Sequence, residues 1–108
     1  MKKTVNDILG NYKALDNVAT MKMSGKLAVA IMSNIKVLEP HFTASCKAIN
    51  KIREDNKGDE DKIDKELTEL ATQEIEIPEL TKVDISVFDS CESIEPATIY
   101  ALSFMIND

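Results

Sequence analysis

The chain has 108 residues, 44% hydrophobic and 30% charged, with 19 acidic against 13 basic side chains and a net charge of −6. That composition fits one globular domain spanning 1–108, and its acidic surface repels phosphate backbones, which argues against direct nucleic-acid binding. Aromatics at 5% and the lack of Trp leave no stacking platform for single strands, and no apolar run approaches the ~20 residues of a membrane span.

The first element is announced by Thr4-Val5-Asn6-Asp7, a capping box with Thr4 as N-cap and Asp7 at N3. Val5, Ile8, Leu9, Tyr12 and Leu15 follow at helical spacing and predict a helix over about 5–19. Gly10 weakens it by about 1 kcal/mol relative to Ala. Met1 to Asp7 has charge but no apolar core, so it does not read as a signal peptide.

Ser24-Gly25 opens a second helix, in which Leu27, Ile31, Ile35, Leu38, Phe42, Cys46, Ile49 and Ile52 step by three or four. They form one apolar stripe about 120° wide. Pro40 removes a backbone bond, so a kink or break is expected near 36–40, and the unbroken phase of the stripe favours a kink. Asp55 to Asp59 is a turn by composition, with Gly58 as a helix C-cap. Ile63, Leu67 and Leu70 then form a third helix to about Thr72. The short connection makes helices two and three an antiparallel hairpin.

Beyond residue 73 the period changes. Glu74 to Ile77 and Lys82 to Val87 both alternate, which reads as strand, and Pro78 to Thr81 turns between them as a hairpin near residues 74–87. Two strands alone are marginal, so helices or another subunit must cover them. Asp89 to Ser93 reads as a loop, and Pro96 at N1 starts a C-terminal helix. The fold class is therefore mainly α (α+β): an antiparallel helical hairpin, N- and C-terminal helices, and a small two-stranded β element.

Catalytic chemistry is sparse. His41 is the one histidine, and with no CxxC it points to no metal site; it borders the apolar stripe. Cys46 lies about 140° around the helix from His41, so the two do not form a nucleophile pair. Cys91 sits among acids and serines. Two cysteines are too few for a disulfide scaffold and read as free thiols in a reducing cytoplasm. The acids of Glu60 to Glu66 alternate with lysines as on a solvated helix face. No Gly-rich phosphate loop and no calcium loop is present. The expectation is a chain that is not an enzyme and uses no cofactor and no metal.

Two features point to partners. Read as one helix, Ile99, Leu102, Phe104, Met105 and Ile106 leave no polar side, so they are the candidate self-association or partner surface, and a homo-oligomer is expected. Lys36, Lys47 and Lys51 lie away from the apolar stripe of the second helix, opposite a third helix bearing Asp61, Asp64 and Glu69. In an oligomer these lysines could converge on a small anionic ligand, with Tyr12 and Tyr100 as stacking groups.

The segments Ile77-Pro78-x-Leu80, Val83-Asp84-Ile85-Ser86, Ile94-Glu95-Pro96-Ala97 and Ala101-Leu102-x-Phe104-Met105-Ile106, together with Leu27 to Pro40, resemble a family of small uncharacterised proteins of phages and prophages of Gram-positive bacteria. The resemblance covers about two thirds of the chain and implies a phage origin, but neither an activity nor catalytic residues. It implies the cytoplasm of an infected host. The leading expectation is a non-enzymatic interaction protein acting on a host or phage protein, for example as a counter-defence or host-takeover inhibitor of a basic partner. The alternatives are an oligomeric sponge for a nucleotide signal and a virion assembly or structural factor.

Overall fold

The computed structural model describes residues 1–91 and 94–107. The chain runs β1 (Lys2–Thr4), α1 (Val5–Val18), α2 (Gly25–Asp55), α3 (Glu60–Ala71), β2 (Glu74–Glu76), a 3-10 helix at Ile85–Ser90, α4 (Pro96–Ala101) and a last 3-10 turn at Ser103–Met105. The structure is mainly helical with a small antiparallel sheet, the expected α+β class.

α1 starts where the capping box sets it. The Asp7 N–H donates to Thr4 Oγ1 (3.1 Å), and the Thr4 N–H donates to Asp7 Oδ2 (3.3 Å). α2 is capped by Ser24, whose Oγ accepts from the Leu27 N–H at 3.3 Å. Its 31 residues span about 46 Å, nearly the 49 Å long axis of the molecule. The helix continues unbroken through Pro40. Proline deprives the Lys36 carbonyl of its helical donor, but Lys36 and Pro40 are both exposed, so water can supply that hydrogen bond.

One core lies at the proximal end. Ile8, Leu15 and Val18 of α1 pack with Leu27, Ala30, Ile31 and Leu38 of α2, with Ile77, Leu80, Val83 and Phe88, and with Leu102 and Met105 from the C-terminal turns. The distal half of α2 pairs with α3 as the expected hairpin. Asn56 ties its tip: Nδ2 donates to the Ile52 carbonyl (2.8 Å) and to Glu66 Oε2 (2.6 Å). Asp59 caps α3 by accepting from the Lys62 N–H at 3.2 Å.

Gly58 in this turn has φ +92°, a region that L side chains avoid. Gly10 lies inside α1 with open space where a Cβ would sit. Gly58→Ala should therefore cost about 1 kcal/mol, and Gly10→Ala should add about 0.5–1 kcal/mol, as read by urea unfolding. Equal effects at the two positions would show that backbone conformation does not govern the turn.

The strand pairing corrects the sequence reading. β2 pairs antiparallel with β1, not with residues 82–87, in the register Lys2↔Glu76, Lys3↔Ile75, Thr4↔Glu74. The ladder extends through Ile77 N–H to the Met1 carbonyl (2.9 Å) and Val5 N–H to the Gln73 carbonyl (3.0 Å). The second alternating run is mostly not strand. Val83 alone makes a parallel bridge to Ile106, donating to the Met105 carbonyl and accepting from the Asn107 N–H, both at 2.8 Å. After it, Asp84 Oδ1 accepts from the Ser86 N–H (3.0 Å) and turns the chain into the 3-10 helix. A side chain that satisfies a backbone donor two residues on competes directly with a strand ladder. That 3-10 helix includes Asp89 and Ser90, where a loop was expected; Cys91 follows it in extended conformation, and Glu92 and Ser93 lie outside the described residues.

The C-terminal helix is also shorter than expected. α4 ends at Ala101, and the chain tightens into the 3-10 turn. The apolar residues therefore do not wrap one cylinder.

Candidate functional site

The expected C-terminal surface divides in two. Leu102 and Met105 are fully buried within their own chain, while Ile99, Phe104 and Ile106 are half-buried against the same core. Tyr100 is 81% exposed. The Lys3 ammonium lies 5.4 Å from the centroid of the Phe104 ring. The chain thus covers most of this apolar segment itself, and Leu102 and Met105 offer no surface to a partner.

One buried polar group locks the segment leading there. Asn34 of α2 is fully buried; its Nδ2 donates to the Thr81 carbonyl (2.9 Å), and its Oδ1 accepts from the Thr81 N–H (2.7 Å). The amide imitates one rung of a sheet for a stretch of chain without a strand partner. Met105 Sδ lies 3.7 Å from the same Nδ2. Asp84, nearby in sequence, has its carboxyl held below the ordinary value, first by the Ser86 hydrogen bonds and then by Lys26.

Lys36, Lys47 and Lys51 are all exposed on α2. Lys36 and Lys47 point the same way but stand about 16 Å apart along a convex helix face. Lys51 forms an i,i+4 ion pair with Asp55 at 3.0 Å. One chain does not bring the three together around a common point. Tyr12 is already engaged, stacked on Phe42 with ring centroids 4.1 Å apart. Its hydroxyl pKa is raised, first by desolvation and then by Glu39 and Asp16.

Neither cysteine is in a disulfide; Cys91 is buried and Cys46 half-buried. Among the described residues no three His, Cys, Asp or Glu side chains are grouped to hold a metal ion, and no helix is long and apolar enough to cross a membrane.

Two surfaces escaped the sequence reading. The first is the outward face of α2. Val29 and Met32, one turn apart, are 67% and 56% exposed. Lys36, Pro40, Thr43 and Lys47 continue the same exposed face toward the hairpin. The signal was in the sequence, since Val29 and Met32 lie opposite the Leu27–Leu38 stripe. The second is a groove of ≈ 640 Å³ between distal α2 and α3. Ala48, Ile52 and Leu70 contribute its apolar lining, and Lys51, Asp55, Lys62, Glu66 and Glu69 its charges. Another hollow, of ≈ 690 Å³, lies among Ile85, Phe88, Cys91, Ile94 and Ile99.

The fold and its surfaces define a mainly α domain with a projecting helical hairpin. No protein-family model, no curated protein and no solved structure matches the chain.

Proposed function

We propose that this chain is a small, non-enzymatic interaction protein of phage origin that works by occupying a surface of a host or phage protein, in a counter-defence or host-takeover role. The observation that carries this reading is the outward face of α2. Two aliphatic side chains are more than half exposed there, one turn apart, on the longest element of the fold. Over Gly25–Asp55 the charges are Lys26, Lys36, Lys47, Lys51 and Arg53 against Glu39, Glu54 and Asp55, with Lys51 paired to Asp55. The outward face itself presents Lys36 and Lys47, a local cationic patch in a chain of net −6 that favours an acidic partner over the basic one its net charge suggests. An apolar centre flanked by cations suits an amphipathic helix with an acidic rim, because charge complementarity steers the encounter and apolar contact holds it.

The nucleotide-sponge alternative needs cations that converge, and the ~16 Å between Lys36 and Lys47 on a convex face does not supply them within one chain.

The test compares the wild-type chain with Met32→Asp, both immobilised in lysate of a Gram-positive host. A stoichiometric acidic protein retained by the wild type, lost from Met32→Asp and released by salt, would support the reading. Identical bound sets for the two would overturn it.

A further inference from the structure

We propose that the groove between distal α2 and α3 is a self-association surface that joins two copies of this chain antiparallel about a two-fold axis, giving a four-helix arrangement. The inference gives a surface to the homo-oligomer expected from the sequence, and it does not depend on the foreign partner proposed above.

The first argument is burial. The apolar stripe of α2 keeps its phase along the whole helix, but its cover does not. Leu27, Ala30, Ile31 and Leu38 are buried and the half-buried Ile35 and Phe42 pack against the core, whereas Cys46, Ala48, Ile49 and Ile52 are half-buried outside that core cluster, Ala48 and Ile52 facing the groove. On α3, Leu70 is half-buried in the groove, whereas Ile63 and Leu67 line another hollow with Arg53 and Glu54. Two helices side by side form a single layer, and an apolar stripe needs a second layer to leave water.

The second argument is charge, and it selects the occupant. Within the groove Lys51 pairs with Asp55, and Glu66 accepts from Asn56. Lys62 and Glu69 also line it, and among the described residues neither has an ion-pair partner. They are seven residues apart on α3, two turns along nearly the same face, separated by about 10 Å. A two-fold axis crossing α3 midway between them places Lys62 of each copy against Glu69 of the other. A parallel pairing would instead set like charges together. An isologous interface must be self-complementary: the Lys62–Glu69 pairs are, while the two Glu66 carboxylates fall near the axis, each held by Asn56 of its own chain. The outward face of α2 is not: back-to-back pairing there would oppose lysine to lysine.

The contact is small, about 18 Å of hairpin by two helix widths of about 10 Å each. The contact lies below the standard interface size, so the dimer expected is weak and concentration-dependent, not obligate.

The test is solution mass by sedimentation across a concentration series up to ~1 mM, high enough to populate a weak dimer. The wild type should pass from monomer to dimer. Lys62→Glu and Glu69→Lys should each weaken dimerisation at least about tenfold, because two symmetric attractions become repulsions. The double variant, and an equimolar mixture of the two single variants, should recover it, since every contact is then again between opposite charges. Circular dichroism checks that each variant folds, and both positions are exposed. A monomer throughout the series, single variants that dimerise like the wild type, or failure of the double variant to recover would each overturn the proposal. None of these results depends on the Met32→Asp capture, so the two readings fail separately.

Discussion

Asn34→Ala is expected to lower stability by about 2–3 kcal/mol, with a drop in melting temperature of roughly 10 °C. The side chain is fully buried, and both halves of its amide are used on one peptide unit, at 2.9 and 2.7 Å. Truncation leaves the Thr81 N–H and carbonyl without this partner and opens a void beside Met105. A lost hydrogen bond costs about 1 kcal/mol, and an unsatisfied group or cavity adds more. Asn34→Asp should cost more still, despite its nearly identical shape. A carboxylate cannot donate to the Thr81 carbonyl, and a charge would be buried without a counter-ion. Urea unfolding followed by far-UV circular dichroism reads both. A loss below about 0.5 kcal/mol for Ala would mean that the bridge carries no stability.

Met105→Asp is expected to abolish folding, while Phe104→Asp is expected to fold with a loss of about 1–2 kcal/mol and an unchanged solution mass. The two residues are adjacent in sequence, but the last 3-10 turn sends them to different places. Met105 is fully buried in the core, whereas Phe104 lies half-buried beneath the Lys3 ammonium. A folded Met105→Asp, or a change in mass for Phe104→Asp with the fold intact, would return this segment to the role of a partner surface. Thermal melts and sedimentation together separate the cases.

The long helices were legible from local chemistry. Thr4 and Asp7 announce α1, Ser24 caps α2, and an unbroken i, i+3, i+4 stripe carries α2 past Pro40. The C-terminal and β segments depended on information that is not local. Alternation at Glu74 to Ile77 reveals a strand but not its partner, which lies some 70 residues away in Lys2–Thr4. Val83, Ile85 and Val87 alternate as well, yet Val83 is buried and Ile85 is 58% exposed, so they share no face. The Asp84 side chain explains the difference, because it claims the Ser86 N–H before a ladder can. The Pro96 to Asn107 segment misled for a related reason. Continuing its helical period beyond Ala101 distributes the apolar residues all round, but the tightening at Leu102 turns Leu102 and Met105 inward together. The candidate surfaces were only partly legible: the lysines of α2 could be seen, but which of them lines a groove was fixed by the placement of α3.

The parallel bridge from Val83 to Ile106 has a consequence for how this chain is born. Leu102 and Met105 enter the same core as Ile8, Leu15 and Leu27, so that core cannot close until residues 102–106 have been made. At about 5–20 residues per second of synthesis, α1 and α2 spend seconds with their apolar stripes awaiting the segment that covers them. Until then α1 and α2 are an open amphipathic pair, and the apolar faces that the finished fold hides are exposed to water.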